Sequence, residues 1–399
     1  MVHIINKISV YNKLRFYYIY IIGFYTEKYQ ISLLMLRKRY NISDIMSISP
    51  NRIMYLDEVR SLAIRLVVIG HISRLFSYDF YSWLFCSGVF SLTRIGVPLF
   101  FTVSGSLLLT RKYEVKKFLE KRFKRVFLPF LFWIIVYIVA GVLIWHYQPT
   151  ITYFIDTAFG VQDYSRPFWF IWSLIGVYLL IPVISSFIRE EGMKGSEYLI
   201  LITIILSILY TIGFFDYPQM KYNFRVIFNF FPVLGYFIMG SYIHNKKFKY
   251  SDKKMFAIGC LLFIIGIAGH FTKIYLKGLG GIALAPIDFF DIFVIMETIG
   301  LFIAFKYACT KWIKKEAKMI RETKLGEVIV LFSSCSFGIY FSHYILMHYI
   351  MYDGFLAPIV KTNAYLWLPV SSIIIIGLSW LLIFTMSKIP ILEIGSGRK

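Results

Sequence analysis

Ten apolar segments, each long enough to form a helix that crosses a lipid bilayer, constrain the fold of this chain more than any other feature. A helix needs about 20 apolar residues to span the hydrocarbon core. Of the 399 residues, 58% are hydrophobic and only 16% are charged, which is more apolar surface than one water-soluble core buries. The sequence therefore predicts an all-α, polytopic membrane helix bundle. The predicted spans lie near residues 58–76, 86–109, 127–145, 168–188, 198–215, 227–243, 255–271, 286–305, 328–351 and 366–387.

The lysines and arginines of the connecting loops predict how these helices are oriented. The loops that follow the even-numbered segments carry 22 Lys and Arg residues, whereas the opposite set carries seven. Because positively charged loops stay in the cytoplasm, we expect ten helices with both termini in the cytoplasm. The net charge of +21 lies between apolar segments and is explained by this topology. We therefore expect membrane lipids, and no nucleic acid, as partners.

The composition divides the chain into three parts. Residues 1–50 form a basic N-terminal extension whose apolar run is too short to span a membrane. This extension either lies at the membrane surface or precedes the true start codon. Residues 51–390 form the predicted membrane domain, and residues 391–399 form a short cytoplasmic tail.

The first apolar segment carries ionisable residues where a lipid-facing helix would have none. An ionisable side chain within a span costs about 2.5–3.5 kcal/mol on insertion scales and raises a functional question. Arg60 and His71 are eleven residues apart, so they share one helix face and lie about 16 Å apart along the axis. Asp57 lies one turn before Arg60 and can orient it. Alternatively, His71 is a buried neutral imidazole bonded to a neighbouring helix, and Arg60 is an ordinary interfacial topology signal.

Five motifs of this chain, in the same order, resemble those of the acyltransferase-3 family of integral membrane acyltransferases. The family's first helix carries an Arg-x10-His motif, which Arg60 and His71 match. A later segment carries an RxxR pair, which Arg122 and Arg125 match. The likeness extends from about residue 54 to about residue 385. The five stretches are YLDEVRSLAIRLVVIGH, RIGVPLFFTVSGSLLL, FLEKRFKRVFLPF, PFWFIWSLIGVYLLIPVI and SFGIYFSHYILMH.

The resemblance implies a stand-alone member of the family, similar to the enzymes that O-acetylate enterobacterial common antigen and other surface polysaccharides. Such an enzyme is a multi-pass protein of the bacterial inner (cytoplasmic) membrane. It moves an acetyl group from cytoplasmic acetyl-CoA, its donor substrate, to a hydroxyl of a cell-surface glycan or its lipid-linked precursor. No tightly bound cofactor is expected. No metal is expected either, because the four cysteines show no metal-ligand spacing.

The resemblance also implies roles for the matching residues, because acyl transfer to a hydroxyl needs a base and a cationic site for the phosphates of the donor. His71 is predicted to be the base, with Arg60 as a second catalytic residue on the same face. Arg122 and Arg125 are predicted to bind the phosphates of acyl-CoA, because neighbouring guanidinium groups suit phosphate recognition. The alternative for this pair is anchoring of a cytoplasmic loop.

Four further polar residues are predicted to bind acceptor or donor. Ser336, Tyr340 and His343 are spaced i, i+4, i+7 and form one stripe of a helix. The alternative for this stripe is hydrogen bonding between helices of the bundle. Arg94 enters the second segment from its outer half, where it can meet an anionic acceptor or pair with a carboxylate of a neighbouring helix.

A membrane transporter or flippase for a glycan or lipid is the alternative class of function. Ten helices with intramembrane charges also describe secondary carriers, which are often built from internal repeats with broken helices in matching positions. The sequence shows no such pairing. A transporter would also leave the Arg-x10-His and RxxR motifs unexplained.

Overall fold

The computed structural model describes residues 52–214, 225–278, 289–311, 324–354, 356–359 and 362–397. The extension predicted for residues 1–50 lies outside these residues. The regular structure of the described residues is helical, with no β-strand among them, which confirms the all-α fold class. The main helices are α1 (Met54–Ser73), α2 (Phe80–Thr93), α3 (Gly96–Leu108), α4 (Val115–Arg122), α5 (Leu128–Leu143), α6 (Ile151–Phe159), α7 (Phe168–Thr211), α8 (Arg225–Asn245), α9 (Asp252–Gly278), α10 (Ile292–Lys311), α11 (Lys324–His348), α12 (Ala364–Met386) and α13 (Glu393–Ser396).

Six helical stretches of the described residues are long and apolar enough to cross a membrane. This confirms a polytopic membrane bundle, while the number of ten spans and the cytoplasmic position of both termini stay predictions. The six stretches are Phe80–Leu108, Val115–Leu143, Phe168–Thr211, Asp252–Gly278, Gly326–Tyr352 and Ala364–Met386.

Helix α1, which carries the Arg-x10-His motif, is not among these six although it lies within the bundle. It holds four charged residues between positions 57 and 65, which lower its hydropathy. Even so, most of its side chains are buried, because α1 packs against α2, α3, α11 and α12. A helix surrounded by other helices on several sides can carry charged residues that a lipid-facing helix cannot.

The second predicted segment is broken into two helices, α2 and α3, where the sequence alone indicated one. Asp79 begins α2 by accepting hydrogen bonds from the backbone N–H groups of Tyr81 (2.9 Å) and Ser82 (3.0 Å). The break falls between Thr93 and Gly96. It redirects the chain so that the start of α3 packs closely against α1, and it leaves Arg94 at the corner.

The RxxR motif lies on a widened helical turn that joins α4 and α5. Residues Phe123–Phe127 form a π-helical turn between Arg122 and the proline-containing first turn of α5. Such turns contain i→i+5 hydrogen bonds and often occur at functional sites. Because of this turn, Arg122 and Arg125 do not have the regular α-helical i, i+3 relation that the sequence spacing predicted.

Helix α7 contains a sharp bend at Gly192. This residue has φ 62° and ψ −142°, a backbone conformation that glycine adopts without steric cost. The bend lies in the loop predicted between the spans at 168–188 and 198–215. The two predicted segments are therefore present as two helical arms on either side of Gly192, whose backbone is not helical.

The last described residues are packed against the bundle. Trp133 of α5 donates a hydrogen bond from its indole Nε1 to the carbonyl oxygen of Gly395 in α13 (2.8 Å). Both Gly395 and Ser396 are buried. The segment predicted as a short tail thus includes a helical turn with its own tertiary contacts.

Candidate active site

A cavity of about 270 Å³ brings together three of the residues predicted from the sequence. His71 of α1, Arg94 at the corner between α2 and α3, and Tyr340 of α11 all line it. Trp169 at the start of α7 and Phe289, whose rings stack on each other at 5.3 Å, also line it. The volume is close to the lower end of ordinary small-molecule pockets, about 300 Å³. A group of the size of one sugar residue is the kind of ligand that such a space admits.

His71 is held between aromatic rings of α11. Its ring centroid lies 4.9 Å from that of Tyr344 in an edge-on arrangement and 5.5 Å from that of His343. His71 is partly accessible and lines the cavity, whereas His343 is fully buried beside it and is not part of the lining. The structure therefore places the two histidines side by side, with His71 towards the cavity.

The hydrogen bonding of His343 defines which of its nitrogens carries hydrogen in the neutral ring. Its Nδ1 lies 3.0 Å from the carbonyl oxygen of Ile339, and because a carbonyl only accepts, Nδ1–H is the donor. Nε2 is then an acceptor, and it is buried with no hydrogen-bond partner among the described residues. A buried unpaired acceptor beside His71 is an available partner for an N–H group of His71.

The stripe of α11 predicted to bind substrate meets the cavity at Tyr340. The Tyr340 hydroxyl donates a hydrogen bond to the carbonyl oxygen of Pro167 (2.8 Å), which ties α11 to the start of α7. Ser336, one turn earlier, is buried but does not line the cavity. Binding of substrate by Ser336 and His343 stays a prediction.

The cavity contains a second cation that was not among the predicted site residues. Arg74 follows the end of α1, one turn beyond His71, and lines the cavity together with Arg94. The guanidinium carbon of Arg94 lies 3.8 Å from the ring centroid of Phe289, a close cation–π contact. The i, i+3 spacing from His71 is the sequence signal that identifies Arg74 as a neighbour of His71.

The other end of α1 carries a network around Asp57. This buried carboxylate accepts hydrogen bonds from Arg52 (2.5 Å from Nε and 2.9 Å from Nη2) and from the Ser333 hydroxyl (2.7 Å). An Arg60 guanidinium nitrogen lies 3.7 Å from Asp57 Oδ1. Asp57 therefore holds Arg60 from one side, as its position one turn earlier suggested. Arg52 and Ser333 are additional members of the network.

The predicted catalytic residue Arg60 and the predicted phosphate-binding pair Arg122 and Arg125 lie around Tyr178 of α7. The Arg122 guanidinium lies over the ring of Tyr178 (5.3 Å) and over that of Phe118 (5.2 Å). Arg60 and Arg125 are both close enough to Tyr178 to interact with it electrostatically, and also close enough to interact with each other. The structure thus brings Arg60 close to Arg122 and Arg125, from which it is far apart in sequence.

Another group of buried ionisable residues lies between α9 and α10. His270 Nδ1 lies 3.0 Å from Glu297 Oε1, and neither side chain is exposed. Lys273 forms a salt bridge with Asp291 and also donates to the carbonyl oxygen of Thr211 (3.1 Å). The sequence offers Asp288, Asp291 and Glu297 as partners for Arg94. Asp291 and Glu297 have partners on α9, and Asp288 lies outside the described residues.

Comparison with known proteins gives one match. Residues 53–384 match the sequence model of a family described as an acyltransferase domain, and this range includes every predicted site residue. The match supports an acyltransferase and gives no support to the transporter or flippase alternative. Neither the curated proteins nor the solved structures contain a match to this chain.

Proposed function

The chain belongs to the acyltransferase-3 family of membrane acyltransferases, and we propose that it transfers an acetyl group from cytoplasmic acetyl-CoA to a hydroxyl of a cell-surface glycan or its lipid-linked precursor. The observation that carries the proposal is the placement of two different sites on one helix. The arginine cluster lies at the first half of α1, and the cavity with His71 lies at its end.

The arginine cluster suits the phosphates of coenzyme A. Arg60, Arg122 and Arg125 supply three positive charges with planar donor groups, the chemistry that phosphate recognition requires. Eleven residues of continuous helix separate Arg60 from His71, about 16 Å along the axis. In the proposal, the phosphates stay at the cluster while the extended pantetheine arm reaches along α1 and presents the thioester to the cavity.

The cavity suits the transfer step. A neutral His71 removes the proton from the acceptor hydroxyl while the hydroxyl oxygen attacks the thioester carbonyl carbon. The new C–O bond forms, the C–S bond breaks, and the proton passes from His71 to the departing thiolate, which gives an ester and free coenzyme A. His343 Nε2 accepts the remaining N–H of His71 after a small rotation of either ring, which leaves the other His71 nitrogen available as the base.

Transfer of labelled acetyl groups tests the proposal. Membranes that contain the wild type, His71→Ala or a control variant are supplied with labelled acetyl-CoA, and the label is followed into glycan and lipid fractions. His146→Asn is the control, because His146 is exposed, lies away from the cavity and has φ 55°, a conformation that asparagine tolerates. Protein abundance in each membrane is measured in parallel.

We expect label in an acceptor fraction with the wild type and the control, and none with His71→Ala. Transfer that persists in a well-inserted His71→Ala protein would remove His71 from the role of base. A wild-type protein that transfers no acyl group, from acetyl-CoA or from longer acyl-CoA donors, would reject the proposed activity. The fraction that carries the label identifies the class of acceptor.

A further inference from the structure

Two arginines line the same wall of the cavity that contains His71. The guanidinium carbon of Arg74 lies 6.0 Å from the ring centroid of Phe90, and that of Arg94 lies 5.7 Å from the same centroid. Phe90 itself lines the cavity. Two positive charges around one ring repel each other, and this repulsion costs most where water is partly excluded. An anion that enters the cavity relieves it.

Three carboxylates of the described residues near this end of α1 are engaged by other groups. Asp163 pairs with Arg166 at 2.5 Å, and Asp291 pairs with Lys273. Asp79 accepts hydrogen bonds from the N-terminus of α2 and from the Ser82 hydroxyl. No carboxylate of the described residues forms a salt bridge with Arg74. Arg74, which is exposed and also lines the cavity, therefore has no acidic salt-bridge partner in the part of the chain described.

We propose that this cavity binds an acceptor sugar that carries an oxyanion, either a carboxylate or a phosphate, and that Arg74 and Arg94 hold that anion. The inference rests on the proposed function for the acylated hydroxyl, which lies at His71. Trp169 supplies a flat apolar surface against which a sugar ring packs.

The position of Arg74 limits where the anion lies on the acceptor. Side chains three residues apart on a helix have Cβ atoms about 5–6 Å apart, so Arg74 lies next to His71 on the same face. The cavity of about 270 Å³ is short for anything beyond a monosaccharide-sized group. The oxyanion is therefore on the same sugar residue as the acylated hydroxyl, or on the linkage directly beside it.

Binding of three matched small sugars tests this inference without any turnover. The full chain in lipid nanodiscs is titrated with methyl α-D-glucuronide (a carboxylate), glucose 1-phosphate (a phosphate) and methyl α-D-glucoside (neutral), and saturation-transfer NMR gives the dissociation constants. The variants are Arg74→Gln, Arg74→Lys and Arg166→Ala. Arg166 is the control, because it is a nearby exposed cation that does not line the cavity.

We expect at least one of the two anionic sugars to bind about fivefold more tightly than the neutral one, a ratio typical of a partly exposed charge pair. Arg74→Gln should abolish the ratio, whereas Arg74→Lys and Arg166→Ala should keep it. The anion that binds more tightly identifies its source as an acidic sugar or a sugar phosphate.

Equal binding of all three sugars would overturn the inference, and so would a ratio that survives Arg74→Gln or disappears in Arg166→Ala. These outcomes are separate from those of the transfer assay. A protein that acetylates neutral glycans and shows no preference for anions keeps the proposed function and loses the anionic subsite. A protein that prefers anionic sugars but transfers no acyl group keeps the subsite and loses the activity.

Discussion

Replacement of Gly96 by alanine tests whether the close packing of α3 on α1 builds the cavity. A Cβ atom at position 96 would lie 2.8 Å from the carbonyl oxygen of Ala63, 2.8 Å from a methyl carbon of Val67 and 2.9 Å from the backbone nitrogen of Val67. Two of these three atoms belong to the backbone of α1 and cannot rotate away. An ordinary contact of about 3.5 Å requires the two helices to separate by about 0.7 Å.

The expected cost of this separation is about 1–3 kcal/mol, the range for an extra methylene group forced into a packed core. Gly377 offers a matched control in α12, because a Cβ atom there would meet nothing within 4 Å. Gly377→Ala should be neutral or stabilising by up to about 1 kcal/mol through helix propensity. Thermal unfolding is followed with a thiol-reactive dye that reports on the buried thiols Cys86 and Cys335, after Cys309 and the partly exposed Cys260 have been replaced by serine in both variants.

We expect Gly96→Ala to lower the unfolding temperature by a few degrees relative to Gly377→Ala. Val67 also lines the cavity, so in the transfer assay the substitution should reduce kcat while the KM for acetyl-CoA, which reports on the distant arginine cluster, stays close to the wild-type value. Equal unfolding temperatures for the two alanine variants would refute the packing argument. A change confined to the KM for acetyl-CoA would refute the argument that the packing of α3 on α1 shapes the cavity in which transfer is proposed to occur.

Two further predictions concern the first half of α1 and its partners. Joint replacement of Arg122 and Arg125 by alanine should raise the KM for acetyl-CoA about tenfold or more, because two charge-assisted contacts to phosphate are lost. Lys124→Ala is the control, because Lys124 is a neighbouring exposed cation. An equal rise of the KM in Lys124→Ala would mean that the positive charge of the loop as a whole, and not these two arginines, is responsible. Asp57→Ala should lower the free energy of unfolding by about 2 kcal/mol, because it removes the carboxylate that accepts from the Ser333 hydroxyl and pairs with two partly buried guanidinium groups. The dye assay measures this change. An unchanged unfolding temperature would mean that water replaces the carboxylate.

The helices could be predicted from the sequence, whereas the turns that shape the site could not. Runs of apolar residues indicate where a helix must lie, since backbone polar groups in a bilayer are satisfied within the helix. The break around Arg94 and the π-helical turn at Phe123–Phe127 each precede a proline, Pro98 or Pro129, which has no N–H to donate to the carbonyl oxygen four residues earlier. The prolines indicate that regular helical hydrogen bonding is interrupted there, but they do not show whether the helix breaks or widens, so the form of each turn could not be predicted.

The candidate site shows the same division at the level of single residues. The spacing of Arg60 and His71 determines their axial separation because one unbroken helix joins them. The i, i+4, i+7 stripe of α11 places Ser336, Tyr340 and His343 on one face, but the stripe extends over about 10 Å of helix rise. The cavity meets only one level of that stripe, at Tyr340. Periodicity predicts which side chains share a face of a helix. It does not predict which turn of that face borders a cavity, because this depends on the packing of the neighbouring helices.

The partners that give the two ends of α1 different chemistry come from distant parts of the chain. Ser333, which bonds Asp57, and Tyr340, which lines the cavity, both belong to α11, the helix packed along α1. Arg60 and His71 lie on one unbroken helix, so the helix sets their axial separation of about 16 Å. Under the proposed function, a donor anchored by its phosphates at the arginine cluster would have to reach His71 through its own flexible arm, and an acceptor would have to enter the cavity. The length of the donor arm is then a property on which the proposed site would select.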